Sequence, residues 1–246
     1  MHKIWITVLM SFALAAARCG PDAGGGRTWG YTGKHGPEHW AGDCAGGKSQ
    51  SPIDLDEATP GRGDLALNYT TSPLELVDDG LILEARLDGR GTLKTGGVQY
   101  NLARLSFRSP AEHRHGDETH GLEAQLLHHD AAGATAMVSI FFKEGNANPL
   151  LAKIMQRLSM DRSPESPPAT NTVLTIDLND VLPATTNHVA YSGSLTTPPC
   201  SEGVSWFVMA TPVEASAAQL TALHEIIGGN VRPVQPRNER PLRVSN

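Results

Sequence analysis

Three side chains on one short segment set the chemical question. In the segment LARLSFRS (102–109), alternation puts Arg104, Ser106 and Arg108 on one face of a strand and Leu105, Phe107 and Ser109 on the other. In a second segment, LEAQLLH (122–128), Glu123, Gln125 and Leu127 share a face. Two strands that turn polar side chains inward describe the floor of a site. The chemistry of such a floor is hydrogen bonding and charge pairing, because an arginine stays protonated and presents its N–H donors in a fixed fork. Alternation alone leaves another reading open, with Arg108 a solvated edge residue and Gln125 on the surface.

The elements that must position these residues are short and β-rich. Segments 74–77, 81–87, 104–108, 122–127, 137–142 and 204–209 read as strands, with turn residues between several of them. Two helices are expected, 150–159 after Asn148-Pro149 and 216–227 before the stop signal Gly228-Gly229. SPESPPAT (163–170) reads as a surface loop. With 25 glycines, 17 prolines and only 5% aromatic residues, turns and short strands are favoured over a helical bundle. The expected class is mainly β (α+β), a single domain with peripheral helices. A length of 246 residues is enough for a substantial core, and a net charge of −6 speaks against a general nucleic-acid binder.

The first seventeen residues read as a signal peptide. Lys3 precedes an apolar run, 4–17, that is too short to span a bilayer comfortably, and Ala15 and Ala17 form an A-x-A cleavage pattern. Residues 18–28, with GPDAGGG, read as a flexible linker. The chain is therefore expected to be exported, either periplasmic or secreted. Cys19 directly follows the apolar run, where a lipoprotein would carry its lipid, but Arg18 before it is not the usual small residue. Lipid anchoring at Cys19 and simple secretion both stay open, and the membrane enters only through that anchor.

Longer motifs appear in order along residues 29–246. They are WGYTGKHGPEHW (29–40), QSPIDL (50–55), SPAEH (109–113), LEAQLLH (122–128), FFKEG (141–145), GSLTTPPCSEGVSW (193–206) and NVRPVQP (230–236). Together they resemble the alpha-class carbonic anhydrases, from about residue 29 to residue 238. The resemblance implies a large twisted, mostly antiparallel sheet of about ten strands with short helices around it. It also implies a disulfide between Cys44 and Cys200, in keeping with the oxidising compartment that export would provide.

The same resemblance places the family's three zinc-binding histidines at Ser106, Arg108 and Gln125. Zinc takes imidazole, thiolate or carboxylate; a hydroxyl and a carboxamide are poor substitutes, and arginine has no lone pair to give. The surrounding family residues have counterparts in Glu112 and Thr196, which orient the zinc-bound hydroxide, and in Thr197, Glu123 and the pocket tyrosine Tyr31. The walls of the cup fall to Leu81, Leu127, Met137, Leu195, Val204 and Trp206. The histidine-rich run EHRHGDETH (112–120) offers no replacement site, since His113 and the later His128 match buried structural histidines and His115 and His120 fall in a hairpin loop.

A bound metal lowers the pKa of water from about 15.7 to about 7, on the order of 12 kcal/mol at roughly 1.4 kcal/mol per unit. The expectation from the sequence is therefore a chain without a cofactor and without carbon dioxide hydratase activity. It would act as a binding protein through its cup, for a small anion or another extracellular ligand and not for nucleic acid. The alternatives are an enzyme of another type using the cup, or an active zinc carbonate dehydratase with unexpected ligands. A buried Arg108 needs a counter-charge, and Glu123 is the expected partner ahead of Glu112. Arg104 would then either point into the cup beside Thr197, an arrangement that favours a small anion such as a carboxylate or sulfate, or turn to solvent and leave a cup that binds nothing.

Overall fold

The alternating segment around Arg104 and the apolar runs after it form the centre of one sheet in a computed structural model, which describes residues 28–61, 63–162 and 173–245. The signal segment, Cys19, the linker as far as residue 27 and the loop 163–170 lie outside the described residues. Two 3-10 turns, Gly33–His35 and Pro37–His39, and a short helix α1 (Asp43–Gly46) come first. Then follow β1 (Thr59–Pro60), β2 (Ala66–Tyr69), β3 (Thr71–Pro73), β4 (Glu75–Asp78), β5 (Leu83–Arg86) and β6 (Gly91–Thr95). The long strands β7 (Val98–Arg108), β8 (Leu122–His129) and β9 (Thr135–Glu144) lead to α2 (Pro149–Arg162) and β10 (Thr175–Asp177). The chain continues through β11 (His188–Ser194), β12 (Glu202–Met209), β13 (Val213–Ala215), α3 (Ala217–Ile227) and β14 (Arg243–Ser245).

Twelve of these strands form one sheet along the path β1-β14-β11-β12-β9-β8-β7-β5-β4, with β13 on β9 and β2 joined through β6 to β7. β3 and β10 make a separate pair. The large sheet is mixed: β1–β14, β12–β9 and β13–β9 run parallel, and the remaining ladders are antiparallel. The domain is thus mainly β with few helices, and its sheet is wider than the ten strands expected. The extra strands have two to five residues each, too short for alternation to show.

The central strands are buried on both faces, so they read as nearly continuous apolar runs. On one face Leu122, Ala124 and Leu126 meet Val138, Ile140 and Phe142, and Leu150, Ile154 and Leu223 of α2 and α3 cover them. On the other face Leu127, Met137, Phe141, Val204 and Trp206 pack with Ile53 and Leu55. The polar residues of the site share this second face. Helix α3 starts at Ser216, whose side chain and that of Gln219 form a capping box, and stops at Gly228 in the left-handed region (φ 70°).

The segment before β1 is fastened over the second face. Cys44 and Cys200 are joined by a disulfide. Trp29, Tyr31 and Trp40 pack edge to face around one another beside it, with ring centroids 5.6–5.8 Å apart. Trp40 donates its indole N–H to the carbonyls of Gly30 and His35.

Candidate functional site

Register fixes the floor. In the β7–β8 ladder Ser106 lies opposite Gln125 and Arg108 opposite Glu123, and across β5 Glu84 lies opposite Ser106. The alternation of β7 sends Leu105 and Phe107 into the apolar core, fully buried, and leaves Arg104, Ser106 and Arg108 on the other side. There they line a cup of about 380 Å³. Asp79, Glu84 and Thr197 complete its polar lining, and Trp29, Val77, Ile82, Leu195, Pro198 and Pro199 its apolar one.

Arg108 is the deepest charge, only 4% exposed. Its Nη1 donates to the carbonyl of Phe107 at 3.1 Å. Its Nε lies 3.3 Å from Glu112 Oε2, an ion pair whose alignment is outside hydrogen-bond geometry, so the Nε–H has no acceptor among the described residues. Nη2 has no acceptor among the described residues. Burial works against the charge of Arg108, and Tyr31, Glu112 and Glu123 outweigh it, so the guanidinium pKa is raised. The counter-charge is therefore Glu112, not Glu123 as the sequence suggested.

The reason lies in what Glu123 already holds. Its Oε1 accepts from His113 Nδ1 (2.8 Å), Ser139 Oγ (2.7 Å) and Gln125 Nε2 (3.1 Å). Its Oε2 accepts from the backbone N–H groups of Glu112 and His113 at 2.8 and 2.9 Å. Burial raises its pKa, but His113 and the other donors pull it down to about 2. An anion with five donors has no vacant lone pair to turn toward Arg108. Behind it the chain of contacts continues from His113 Nε2 to the Tyr191 hydroxyl (2.7 Å) and on to Ser51 Oγ (2.8 Å).

Glu112 is equally buried and less well satisfied. It accepts from the Arg232 backbone N–H (3.0 Å) and from Gln125 Nε2 (2.8 Å), and Thr196 also bonds to it. Burial raises its pKa, Arg108 lowers it and Glu123 raises it; the net direction is up. Because Gln125 faces two carboxylates, its amide nitrogen must point at them. Tyr31 stands near Arg108, Glu112 and Asp79 with its hydroxyl buried and unpartnered, and burial pushes its pKa up to about 12.

The sequence-derived residues divide by place. Arg104, Ser106, Arg108, Leu195 and Thr197 line the cup, with Glu112, Glu123, Gln125 and Thr196 buried around its base. Leu127, Met137, Val204 and Trp206 lie outside the lining, closed into the second apolar core. Leu81 is half-buried near Gly30, also outside the lining. Sequence reasoning missed Asp79, Glu84 and Arg232. Alternation in β5 could have found Glu84, since its neighbours Leu83 and Ala85 are core residues. Arg232 carries no such signal: its guanidinium reaches the Cys44 and Ser51 carbonyls and Gln50 Oε1, far away in sequence.

Comparison with known proteins agrees with this fold. The family model for eukaryotic-type carbonic anhydrase matches residues 35–246. A carbonic anhydrase from Nostoc sp. is 36% identical over 226 residues, covering 86% of this chain and 84% of that protein. The alpha-carbonic anhydrase of Thermovibrio ammonificans, solved with the inhibitor sulfanilamide, superimposes with a TM-score of 0.78 at 36% identity, covering 89% of this chain and 100% of that one. Dioscorin, solved in complex with ascorbate, superimposes with a TM-score of 0.75 at 32% identity, covering 89% and 98%. The chain belongs to the carbonic anhydrase family.

That membership corrects the expectation of a chain with no cofactor. Its relatives are carbonic anhydrases, whose cofactor is zinc, and they match nearly the whole domain. The donor set at the three expected ligand positions does not fit that ion. Ser106 offers a hydroxyl, Arg108 a protonated fork, and Gln125 an amide whose nitrogen is engaged by two carboxylates.

Proposed function

We propose that this protein is an exported member of the carbonic anhydrase family that works by binding a small molecule in its cup and does not hydrate carbon dioxide. The observation that carries the reading is the Arg108–Glu112 ion pair at the base of the cup. In the resemblance, Glu112 with Thr196 orients the hydroxide that attacks carbon dioxide. Here Glu112 still bonds Thr196, but it also accepts from Gln125 and the Arg232 N–H and faces Arg108, so a fixed cation occupies the floor beside it. The cup itself stays open, with charged and apolar walls suited to a ligand. That a family relative, dioscorin, was solved with ascorbate supports small-molecule binding on this fold. Export is supported by the apolar N-terminal run with its A-x-A end, and the Cys44–Cys200 disulfide is in keeping with it.

Stopped-flow carbon dioxide hydration tests the reading. The parent and the variant Ser106→His/Arg108→His/Gln125→His are both supplied with zinc, and metal content is measured in each. The parent is expected to stay at the uncatalysed rate, while the variant gains hydration that a sulfonamide blocks. Sulfonamide-sensitive hydration by the parent overturns the reading.

A further inference from the structure

The cup has more hydrogen-bond donors than the protein has acceptors for them. Arg108 is buried: its Nη1 bonds the Phe107 carbonyl and its Nε faces Glu112 outside hydrogen-bond geometry, which leaves Nη2 without an acceptor among the described residues. Ser106, a residue 6% exposed, makes no side-chain hydrogen bond among the described residues, and neither does Thr197. Among the described residues Arg104 is held only by a long ion pair, Nη1 to Glu84 Oε2 at 3.8 Å. All four residues line the same cup. Donors left unpaired by the protein on the wall of a cup are met by water or by a ligand that replaces it.

The opposing charges narrow what that acceptor is. Asp79 and Glu84 share the lining, and Glu112 stands behind Arg108. Within the lining itself two arginines meet two carboxylates, so the charges balance, and a doubly charged phosphate is disfavoured more strongly than a single negative charge held on the arginine side. A single negative head with two oxygens matches the arginine fork. A ligand that also carries hydroxyl groups would satisfy Glu84 and the Asp79 oxygen not already engaged by the Leu81 and Ile82 N–H groups. The volume, about 380 Å³, equals roughly a dozen waters at about 30 Å³ each, which suits a compact organic acid.

From this we propose that the cup is a binding site for small hydroxylated organic monoanions, with the anionic head on Arg108 and Ser106, flanked by Arg104 and Thr197, and the hydroxyls on Asp79 and Glu84. The inference rests on the binding reading above and gives it a ligand class. Isothermal titration in chloride-free buffer tests it with lactate, ascorbate, acetate, inorganic phosphate and the neutral analogue lactamide. Lactate and ascorbate are expected to bind saturably, with acetate weaker and lactamide at least about tenfold weaker than lactate. Arg104→Gln is expected to weaken lactate about tenfold while leaving the ligand-free melting temperature unchanged. Asp79→Asn is expected to erase the preference for lactate over acetate. Equal binding of lactate and lactamide, tighter binding of phosphate than of lactate, or no saturable heat with any of the carboxylates overturns the proposal. None of these outcomes bears on hydration, so the ligand class and the loss of hydratase activity fail separately.

Discussion

Glu112 and Glu123 are both fully buried and lie side by side at the base of the cup, yet their pKa values move in opposite directions. Glu123 is held down to about 2, and Glu112 is raised. The difference is not depth, since burial acts on both in the same sense. Glu123 has five donors from three side chains and two backbone groups, including the His113 ring. Glu112 shares the Gln125 amide with it and depends for its counter-charge on a misaligned arginine. The lesson is that Glu123, bound by five donors, is held as a structural anion, while Glu112, behind the cup's Arg108, has fewer donors and depends on that cation.

Stability measurements can break this comparison. Glu123→Ala is expected to have the largest effect, about 5 kcal/mol or loss of cooperative folding, because it strands five buried donors at once. A loss under about 1 kcal/mol in urea denaturation would remove the structural role assigned to Glu123. Arg108→Ala comes next, at about 3 kcal/mol, since it leaves Glu112 without its cation. In the Arg108→Ala/Glu112→Gln double variant most of that loss should return. Additive penalties in the cycle would show that the pair is not coupled.

A pH series sharpens the contrast with smaller effects. The folded pKa of Glu123 is below the ordinary 4.5, so its stabilisation is present above 4.5 and lost as pH falls toward about 2. The penalty of Glu123→Gln should therefore grow from pH 2 to pH 7, by on the order of 3 kcal/mol at roughly 1.4 kcal/mol per unit. Glu112 has the opposite sign: with a raised folded pKa, its contribution is whole below 4.5 and is lost as pH rises. The penalty of Glu112→Gln should shrink from pH 4 to pH 7. His128, lowered to about 4 by burial, adds an acid limb between its ordinary 6.5 and about 4, which cancels when each variant is compared with the parent at the same pH. Parallel pH profiles for the two variants would abolish the distinction. The smallest effect belongs to Tyr31→Phe. It deletes a buried hydroxyl with no partner, so stability should change by less than about 0.5 kcal/mol or rise slightly. A loss above about 1 kcal/mol would reveal a partner for that hydroxyl.

Much of this was legible in the chain. The β-rich runs located β7, β8 and β9, and in β7 alternation sorted Arg104, Ser106 and Arg108 from Leu105 and Phe107. Gly228 marked the end of α3 for a local reason, its positive φ. β11, HVAYSGS, showed no usable pattern, and β1, β3 and β10 have only two or three residues each. The partner of Arg108 was misread because pairing is decided by competition: Glu123 is opposite Arg108 in register, but its lone pairs are filled by groups that only the folded turn at Glu112 and His113 brings near. The placement of Trp206, Val204, Met137 and Leu127 behind the floor follows from sheet twist and packing, which alternation does not encode.

Arg232 carries a consequence for the order of events in folding. Its backbone N–H satisfies Glu112, 120 residues earlier, and its side chain grips Gln50, Ser51 and Cys44, 181 to 188 residues earlier. Asn230 likewise bonds the backbone at Phe107 and Ser109 across more than a hundred residues. During synthesis the strands that form the floor emerge long before the residues that complete it. Until residues 230–232 arrive, Glu112 waits without its backbone donor and the N-terminal segment without its clasp. Such long-range closure slows folding and leaves a nascent chain with an unfinished, hydrated base. The charge pair beneath the cup is thus sealed among the last contacts made, and a ribosome-stalled chain ending before Asn230 would hold the strands without the site.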